Sequence, residues 1–198
     1  ALACTHLLST MPIKDLVQAS AAAWPEDVRT IAGALSYRDF ITVGLLYPRN
    51  AVPRKLDDNW IYIQEPGVNV GRVQVFNNWS PYMVADPDTL WLGLEFFCKE
   101  GDPLWTMDDE ALKALGHREM VQIGLVQADA ARDAVVLRVP KAYPGYFGEA
   151  YARFDELQVA LDAVPNLFLI GRNGMHRYNN QDHSMLTAKE AARQIATG

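Results

Sequence analysis

The chain has 198 residues, of which 49% are hydrophobic and 21% charged, and its formal net charge is -6. This composition allows a packed core, and it excludes both global disorder and the basic surface that nucleic-acid binding requires. Two lone cysteines, Cys4 and Cys98, give neither a disulfide framework nor a metal-binding pattern. The sequence has no apolar run of about 18 residues and no signal peptide, so we expect a cytoplasmic protein without a membrane span.

The N-terminal part predicts one strand and two helices. Residues 3–10 form an apolar run that is typical of a buried strand. Residues 13–23 have apolar side chains at helical spacing, and residues 25–35 follow with Pro25 at the first helical position, where no N–H is needed. Because the chain begins without Met, directly in an apolar run, we expect it to be a piece of a longer protein.

Short strands separated by turn residues dominate the middle of the chain. The predicted strands cover residues 39–47, 60–64, 72–77, 90–97 and 134–139. Successive short strands with tight turns favour an antiparallel sheet. The proline-containing residues 48–58 and 140–148 are predicted loops. Several aromatic residues are expected to pack inside the protein: Trp60, Trp79, Trp91, Trp105, Tyr143 and Tyr146.

Three further helices and one strand complete the prediction. The first of these helices covers residues 106–123 and begins with the spacing of a capping box, Thr106 to Asp109. The second helix covers residues 149–163, and the final helix covers residues 183–196. The strand lies between them, at residues 166–171.

The last strand leads into the part of the sequence that is richest in polar functional groups. It ends at Gly171, which lets a ligand approach the backbone closely. Some dozen mostly polar residues follow, and a helix begins near Asp182. Because a helix N-terminus carries a partial positive charge, this arrangement predicts a site for a negatively charged ligand.

The sequence from Gly171 to Met185 resembles the C-terminal flavin motif of UDP-galactopyranose-mutase-like and protoporphyrinogen-oxidase-like FAD proteins. Those families close with a strand, a Gly-Arg or Gly-Asp pair, a loop rich in Tyr, Asn and Asp, and a final helix aimed at the isoalloxazine ring. Supporting similarities lie at residues 8–12, 35–38, 94–97, 101–105 and 141–144. The resemblance covers nearly the whole chain and implies the C-terminal portion of an FAD-dependent oxidoreductase of the amine-oxidase-like group.

The resemblance also implies the residues that bind FAD. They are Gly171, Arg172, Tyr178, Asn179, Asn180, Gln181, Asp182, His183 and Met185. The first two are expected against the ribityl and phosphate region, and the loop residues along the flavin ring edge. The final helix is expected to direct its positive end at the flavin ring. A purely structural alternative is that Asn179 and Asn180 only cap the final helix.

The dinucleotide fingerprint Gly-x-Gly-x-x-Gly is absent, so the pyrophosphate-binding half of an FAD site is not in this sequence. We therefore expect an α+β fold: an antiparallel substrate-domain sheet with flanking helices (residues 13–164), plus two strands and the C-terminal helix of an incomplete FAD-binding domain (residues 1–12 and 165–198). The strands at residues 3–10 and 166–171 are expected to pair with each other, and their exposed edges to promote self-association.

No residue is a clear catalytic acid or base, and no metal site is predicted. A small molecule is the expected substrate, with Arg72 as the candidate for contacting it. The mutases' arginine-bearing substrate segment is not clearly matched. Two other functions stay open: a mutase-like flavoenzyme with redox-neutral chemistry, and a non-catalytic ligand-binding or interaction domain. The chain alone is expected to be inactive.

Overall fold

The computed structural model describes residues 3–20, 24–128 and 131–197. It divides into two compact units. Unit 1 comprises the described residues up to Arg38 and from Lys141 onward, and unit 2 comprises those from Asp39 to Pro140. Within the described residues, none of the helices combines the length and the apolar character needed to span a membrane.

The strands are β1 Leu7–Ser9, β2 Tyr37–Pro48, β3 Trp60–Tyr62, β4 Arg72–Val75, β5 Thr89–Cys98, β6 Asp133–Pro144 and β7 Leu167–Leu169. The helices are α1 Ile13–Ala19, α2 Glu26–Ala34, α3 Phe76–Trp79, α4 Pro103–Thr106, α5 Asp109–Gln122, α6 Glu149–Ala152, α7 Phe154–Asp162, α8 Gly171–Gly174 and α9 Gln181–Thr197. A 3-10 turn covers Arg49–Ala51.

Unit 2 is built on a five-stranded sheet in the order β3-β4-β5-β2-β6, with β3–β4, β4–β5 and β5–β2 pairing antiparallel. The predicted antiparallel sheet is therefore confirmed. Val43 and Leu94 face each other across β2 and β5, and both are fully buried. Helix α5 covers them so closely that a Cβ at Gly116 would lie 3.0 Å from Leu94 and 3.3 Å from Val43. As predicted, Leu112 of α5 is buried in this core.

Unit 1 contains the pair of parallel strands β1 and β7, in the register Leu7–Leu167 to Ser9–Leu169. The prediction that these two strands pair with each other is confirmed. A separate core lies between α1, α2 and α7, with Ile13, Ile31 and Leu157 at or near zero exposure. The strands themselves stay half-exposed, and Leu7 and Leu8 expose 46% and 42% of their surface.

Several predicted boundaries were wrong, because tertiary contacts override local signals. Strand β6 continues to Pro144 through the predicted loop, which an edge strand permits because proline is tolerated where no partner needs its N–H. The predicted helix over residues 149–163 is interrupted at Arg153, which has φ -105° and ψ 16°. Helix α5 is capped by the Asp108 side chain, which accepts from the Ala111 N–H, and not by Thr106.

Smaller corrections concern the first two helices and the aromatic residues. Pro25 is the N-cap of α2 and not its first helical residue. The last part of the predicted helix over residues 13–23 lies outside the described residues. Trp79 and Tyr146, which were expected to pack inside the protein, are each 45% exposed.

Candidate functional site

Two glycines shape the backbone where β7 meets α8. Gly171 has φ 71°, a left-handed conformation that strains other residues, and its N–H donates to Thr187 Oγ1 of α9 at 3.0 Å. At Gly174 a Cβ would collide with the carbonyl oxygen of Ser9, so the chain leaving β1 passes directly against α8. The strand end, α8 and α9 are therefore fixed to one another by contacts that only glycine permits.

Helix α8 ends in a Schellman motif, with His176 in the left-handed position that glycine usually occupies. His176 has φ 47°, and its N–H donates to the Asn173 carbonyl at 3.2 Å. The next N–H, that of Arg177, donates to the Arg172 carbonyl at 2.9 Å. The backbone of the loop after α8 is thus set by hydrogen bonds to α8 itself.

The His176 side chain explains why a non-glycine residue is tolerated there. It is only 2% exposed, and its ring lies 5.0 Å from Tyr37, edge to face, and 5.5 Å from Phe154. Nε2 is 3.1 Å from the Gly145 carbonyl, which assigns the proton to Nε2, and Nδ1 has no partner among the described residues. Burial lowers the pKa of His176, so the ring is neutral and packs as a structural residue.

The Arg172 side chain holds the loop after α8 through hydrogen bonds to backbone carbonyls. Its Nε and Nη2 donate to the Asn179 carbonyl at 3.0 and 2.8 Å, and its Nη1 donates to the Ala142 carbonyl at 3.1 Å. The guanidinium also lies 5.1 Å from the Tyr143 ring and 4.7 Å from the Tyr178 ring. Arg172 therefore ties both ends of the loop to the end of β6.

The end of β6 is a part of the site that the sequence indicated only as a supporting similarity. The Lys141 carbonyl accepts from Asn173 Nδ2 at 3.0 Å, and the Tyr146 hydroxyl accepts from the Tyr178 N–H. Lys141 itself has φ 52°, and its Nζ contacts both carboxylate oxygens of Asp15 at 2.8 Å. No local pattern could reveal this last pair, because the two residues are 126 positions apart.

Helix α9 begins beside this loop. The Ser184 N–H donates to the Asn180 carbonyl at 3.0 Å, and the helix starts at Gln181, two residues earlier than predicted. Among the described residues, the N–H groups of Gln181, Asp182 and His183 make no hydrogen bond. This end of a 17-residue helix carries the partial positive charge that the sequence predicted for the site.

The predicted binding residues line two clefts of unit 1. One, the Gly171 cleft of about 480 Å³, is lined by Thr10, Ile170, Gly171, Arg172, Asn173, Ser184, Met185 and Ala188. The other, the Tyr178 cleft of about 410 Å³, is lined by Met175, Arg177, Tyr178, Asn179, Asn180, His183, Leu186 and Thr187. Of the nine predicted residues, only Gln181 and Asp182 line neither cleft. The sequence did not predict the roles of Thr10, Asn173 and Arg177 as lining residues.

Arg72, the predicted substrate contact, lies in unit 2 and is already paired. Its Nε donates to Glu95 Oε2 at 2.8 Å, its Nη2 contacts the same oxygen, and Glu95 is only 2% exposed. Gln74 Nε2 donates to the other carboxylate oxygen at 2.6 Å, and the Trp60 ring lies 4.1 Å below the guanidinium. Arg72 therefore forms an ion pair with the buried Glu95, which offsets its positive charge, and its guanidinium stacks on the Trp60 ring.

The other candidate reactive groups show no assembled catalytic or metal site. In the part of the chain that the structure describes, no group of three or more His, Cys, Asp or Glu side chains could hold a metal ion. Asp182 and His183 contact each other at 3.2 Å on the exposed surface. Cys4 is exposed and Cys98 buried, both are free thiols, and burial raises the pKa of Cys98.

No protein-family model matches this sequence, and no curated protein matches it. Solved structures do match the fold. Reduced UDP-galactopyranose mutase matches 100% of this chain with a TM-score of 0.81 and 23% identity. This chain has the fold of that part of the mutase. It spans 42% of the length of the mutase chain, so it corresponds to about two fifths of that protein.

Two oxidases share the same fold. A protein assigned as a protoporphyrinogen oxidase from Exiguobacterium sp. 255-15 matches 95% of this chain, with a TM-score of 0.66 and 14% identity, over 41% of its own length. Putrescine oxidase bound to putrescine matches 97% of this chain, with a TM-score of 0.61 and 14% identity, over 43% of its own length. The predicted resemblance to these flavoenzyme families is confirmed at the level of the fold.

The chemistry of the two clefts fits a flavin. The edge of the isoalloxazine ring presents both donors and acceptors, and the Asn180 amide, which lines the Tyr178 cleft, carries both. The Asn179 amide is bonded to Ser184 Oγ at 2.8 Å. The buried Oδ1 of Asn173 has no partner in the described residues, and Asn173 lines the Gly171 cleft. Both cleft volumes are in the range of about 300 to 1,000 Å³ that small-molecule sites occupy. Within this chain, however, no glycine-rich loop is present for a pyrophosphate.

Proposed function

We propose that this chain is the C-terminal portion of an FAD-dependent oxidoreductase, supplying its substrate-domain sheet and the part of the protein that faces the flavin ring. The observation that carries the proposal of a flavoenzyme is the match of the whole chain to reduced UDP-galactopyranose mutase, and the matches of 95% and 97% of the chain to two oxidases favour an oxidoreductase. Seven of the nine residues predicted from the flavin motif also line two clefts of unit 1, which supports the same conclusion.

In this proposal the residues of the two clefts hold and orient FAD, and FAD supplies the redox chemistry when it is bound. Gly171, Arg172 and Met185 contact it from the Gly171 cleft. Tyr178, Asn179, Asn180 and His183 do so from the Tyr178 cleft, and the N–H groups of Gln181 and Asp182 act from the start of α9. Residues 1–12 and 165–198 then belong with the FAD-binding domain, and residues 13–164 form the substrate domain. The compact units divide the chain elsewhere, after Arg38 and after Pro140.

Arg72 is the proposed substrate contact on the unit 2 sheet. Because Glu95 offsets its charge, Arg72 suits a polar or planar group better than a free anion. The aromatic rings around it, Trp60 at 4.1 Å and Tyr62 and Phe97 at 5.7 Å, supply flat apolar surface.

A second candidate is redox-neutral chemistry of the mutase kind. The observation that favours it is the higher TM-score of the mutase, 0.81, against 0.66 and 0.61 for the two oxidases. The two candidates are separated by whether turnover consumes an external electron acceptor. The third alternative, a non-catalytic binding domain, predicts a full-length protein that never contains a cofactor.

The test is the visible absorption spectrum of the purified product of the full gene, with this chain alone measured beside it. We expect flavin bands that denaturation releases as FAD, and a chain that alone binds FAD weakly and is inactive. A colourless full-length protein that takes up no added FAD would overturn the proposal and leave the binding-domain alternative.

A further inference from the structure

The two arginines of the loop after α8 have different environments. Arg172 commits three of its N–H groups to backbone carbonyls, and it is only partly exposed. Arg177 is exposed, and within the described residues its guanidinium makes no hydrogen bond and no ion pair. A guanidinium has five N–H donors in a planar fork, so those of Arg177 are all available to a ligand.

Only the side chain of Arg177 is free, because its backbone is fixed on both sides. Its own N–H is bound to the Arg172 carbonyl at 2.9 Å, and the preceding residue, His176, is buried. The N–H of the following residue, Tyr178, donates to the Tyr146 hydroxyl. Binding through Arg177 therefore orders one side chain and no backbone, which keeps its entropic cost small.

Arg177 also lies where two clefts meet. It lines the Tyr178 cleft and a second one of about 550 Å³, the His176 cleft, and Tyr178 lines both. The His176 cleft is lined by Tyr146, Tyr151, Phe154, Gln158, Met175, His176, Arg177 and Tyr178. None of the lining residues of either cleft is acidic, and His176 is neutral. Two carboxylates contact lining residues from outside the clefts: Asp182 lies 3.2 Å from His183, and Asp162 accepts from Gln158 Nε2 at 2.7 Å. Among the described residues, neither carboxylate forms an ion pair with Arg177.

We propose that Arg177 binds an oxyanion group of the small-molecule substrate, a phosphate or a carboxylate, and that Arg172 is a positioning residue that holds the loop in place. The assignment of this anion to a substrate rests on the proposed function. Arginine pairs with both groups through two parallel N–H···O bonds, which the free fork of Arg177 can form. The rings of Tyr146, Tyr151 and Phe154 then face the apolar part of the same molecule.

The test uses the full-length protein and two probes, inorganic pyrophosphate and succinate, with dissociation constants measured by titration calorimetry at fixed ionic strength. We expect R177Q to weaken the probe that binds the wild type by about tenfold or more, since hydrogen bonds to charged groups are lost. The affinity of R177K for that probe should lie between those of the wild type and R177Q, because lysine keeps the positive charge but lacks the planar guanidinium that donates two parallel hydrogen bonds. The probe that binds more tightly distinguishes a phosphate from a carboxylate ligand.

The matched control is R54Q, which removes another exposed arginine that makes no hydrogen bond or ion pair among the described residues and lies in unit 2. It should change probe affinity by less than about twofold, since Arg54 lines neither of the two clefts and an exposed charge is screened by salt. R172K tests the positioning role: it should lower the protection of the Tyr178 amide from hydrogen exchange, which R177Q should leave unchanged.

The proposal is overturned if R177Q binds both probes as the wild type does, or if the wild type binds neither. It is also overturned if R177Q loses its FAD, because Arg177 would then serve the cofactor. Failure of the proposed function gives a different result: a colourless protein that still binds a probe through Arg177 keeps the anion site and removes the flavoenzyme.

Discussion

The two units of this protein differ in how completely they satisfy their own buried polar groups. In unit 2, Glu95 and Glu119 are each 2% exposed, yet both carboxylates are fully engaged. Every buried side-chain nitrogen or oxygen without a partner in the described residues belongs to unit 1, namely Trp24 Nε1, Tyr37 Oη, Asn173 Oδ1 and His176 Nδ1. Burial raises the pKa of Tyr37 to about 12, so this hydroxyl keeps its proton.

The strands of the two units also differ in how far their apolar side chains are covered. The antiparallel sheet of unit 2 covers one face with its own helix and core, whereas the parallel pair β1–β7 exposes apolar residues such as Leu7 and Leu8. Parallel strands are normally covered on both faces, and antiparallel sheets need cover on only one. Within the described residues, unit 2 therefore buries the apolar face of its sheet, whereas unit 1 leaves part of the apolar surface of its strands exposed.

The largest expected effect comes from breaking the polar network of unit 2 at Glu119. Its Oε1 accepts from the N–H and Nδ2 of Asn69 at 2.9 and 2.8 Å, and its Oε2 accepts from the Val70 N–H at 2.9 Å. Glu119→Ala leaves these donors unpaired, and we expect the free energy of unfolding to fall by about 3 to 5 kcal/mol. Urea unfolding followed by tryptophan fluorescence measures this, since four of the five tryptophans lie in unit 2.

The matched control is Glu110→Ala on the same helix, which removes an 83% exposed carboxylate paired only with Lys113. Its effect should stay within about 0.5 kcal/mol. If both variants unfold at the same urea concentration, the buried hydrogen bonds of Glu119 do not stabilise unit 2.

In unit 1, Gly174→Ala should have the next largest effect. The new Cβ collides with the Ser9 carbonyl, which is backbone and cannot rotate away, so β1 must move from α8. We expect a loss of about 2 to 4 kcal/mol in the free energy of unfolding of unit 1, and faster hydrogen exchange at the Ile170 amide, which donates to Ser9.

Gly33→Ala is the counterpart in the same unit, because a Cβ there meets nothing within 4 Å in helix α2. It should stabilise the protein by about 0.5 to 1 kcal/mol. Equal destabilisation by both substitutions would show that the contact between β1 and α8 is not specific.

The smallest expected effect is on the pH dependence of stability, through the buried His176 of unit 1. Burial places the pKa of His176 below its ordinary value of 6.5, so the unfolded chain binds this proton more readily than the folded one. The contribution of His176 to stability is therefore fully present above about pH 6.5 and is lost as the pH falls through that value toward the folded-state pKa. His176→Phe keeps a ring among Tyr37 and Phe154 and removes the titrating group. Thermal unfolding between about pH 5 and pH 7.5 should show a shallower slope in the variant; an unchanged slope would contradict the assignment.

Several predictions succeeded because the physical signal is local. Alternating apolar residues in short runs gave the antiparallel sheet, and the helical spacing of Leu112 and Leu157 gave their burial. Seven of the nine residues predicted from the glycine at the end of β7 and the polar loop after it line two clefts, and their role in binding a ligand stays a prediction. The limits of β6 and α5 were missed, because an edge position and a competing cap at Asp108 decide them.

The sequence by itself determined the main strands and helices, the pairing of the two terminal strands, and the motif that resembles a flavin site. Only the tertiary structure decided which charges are available. Arg172 and Arg177 are five positions apart in the sequence, yet Arg172 donates to the carbonyls of Ala142 and Asn179, whereas the Arg177 side chain has no partner among the described residues. Arg72 likewise pairs with Glu95, which is 23 positions away in the sequence and lies on the neighbouring strand. The physical reason is that residue type sets what a side chain can bind, whereas the partners it finds depend on segments that are distant in the chain and adjacent only after folding.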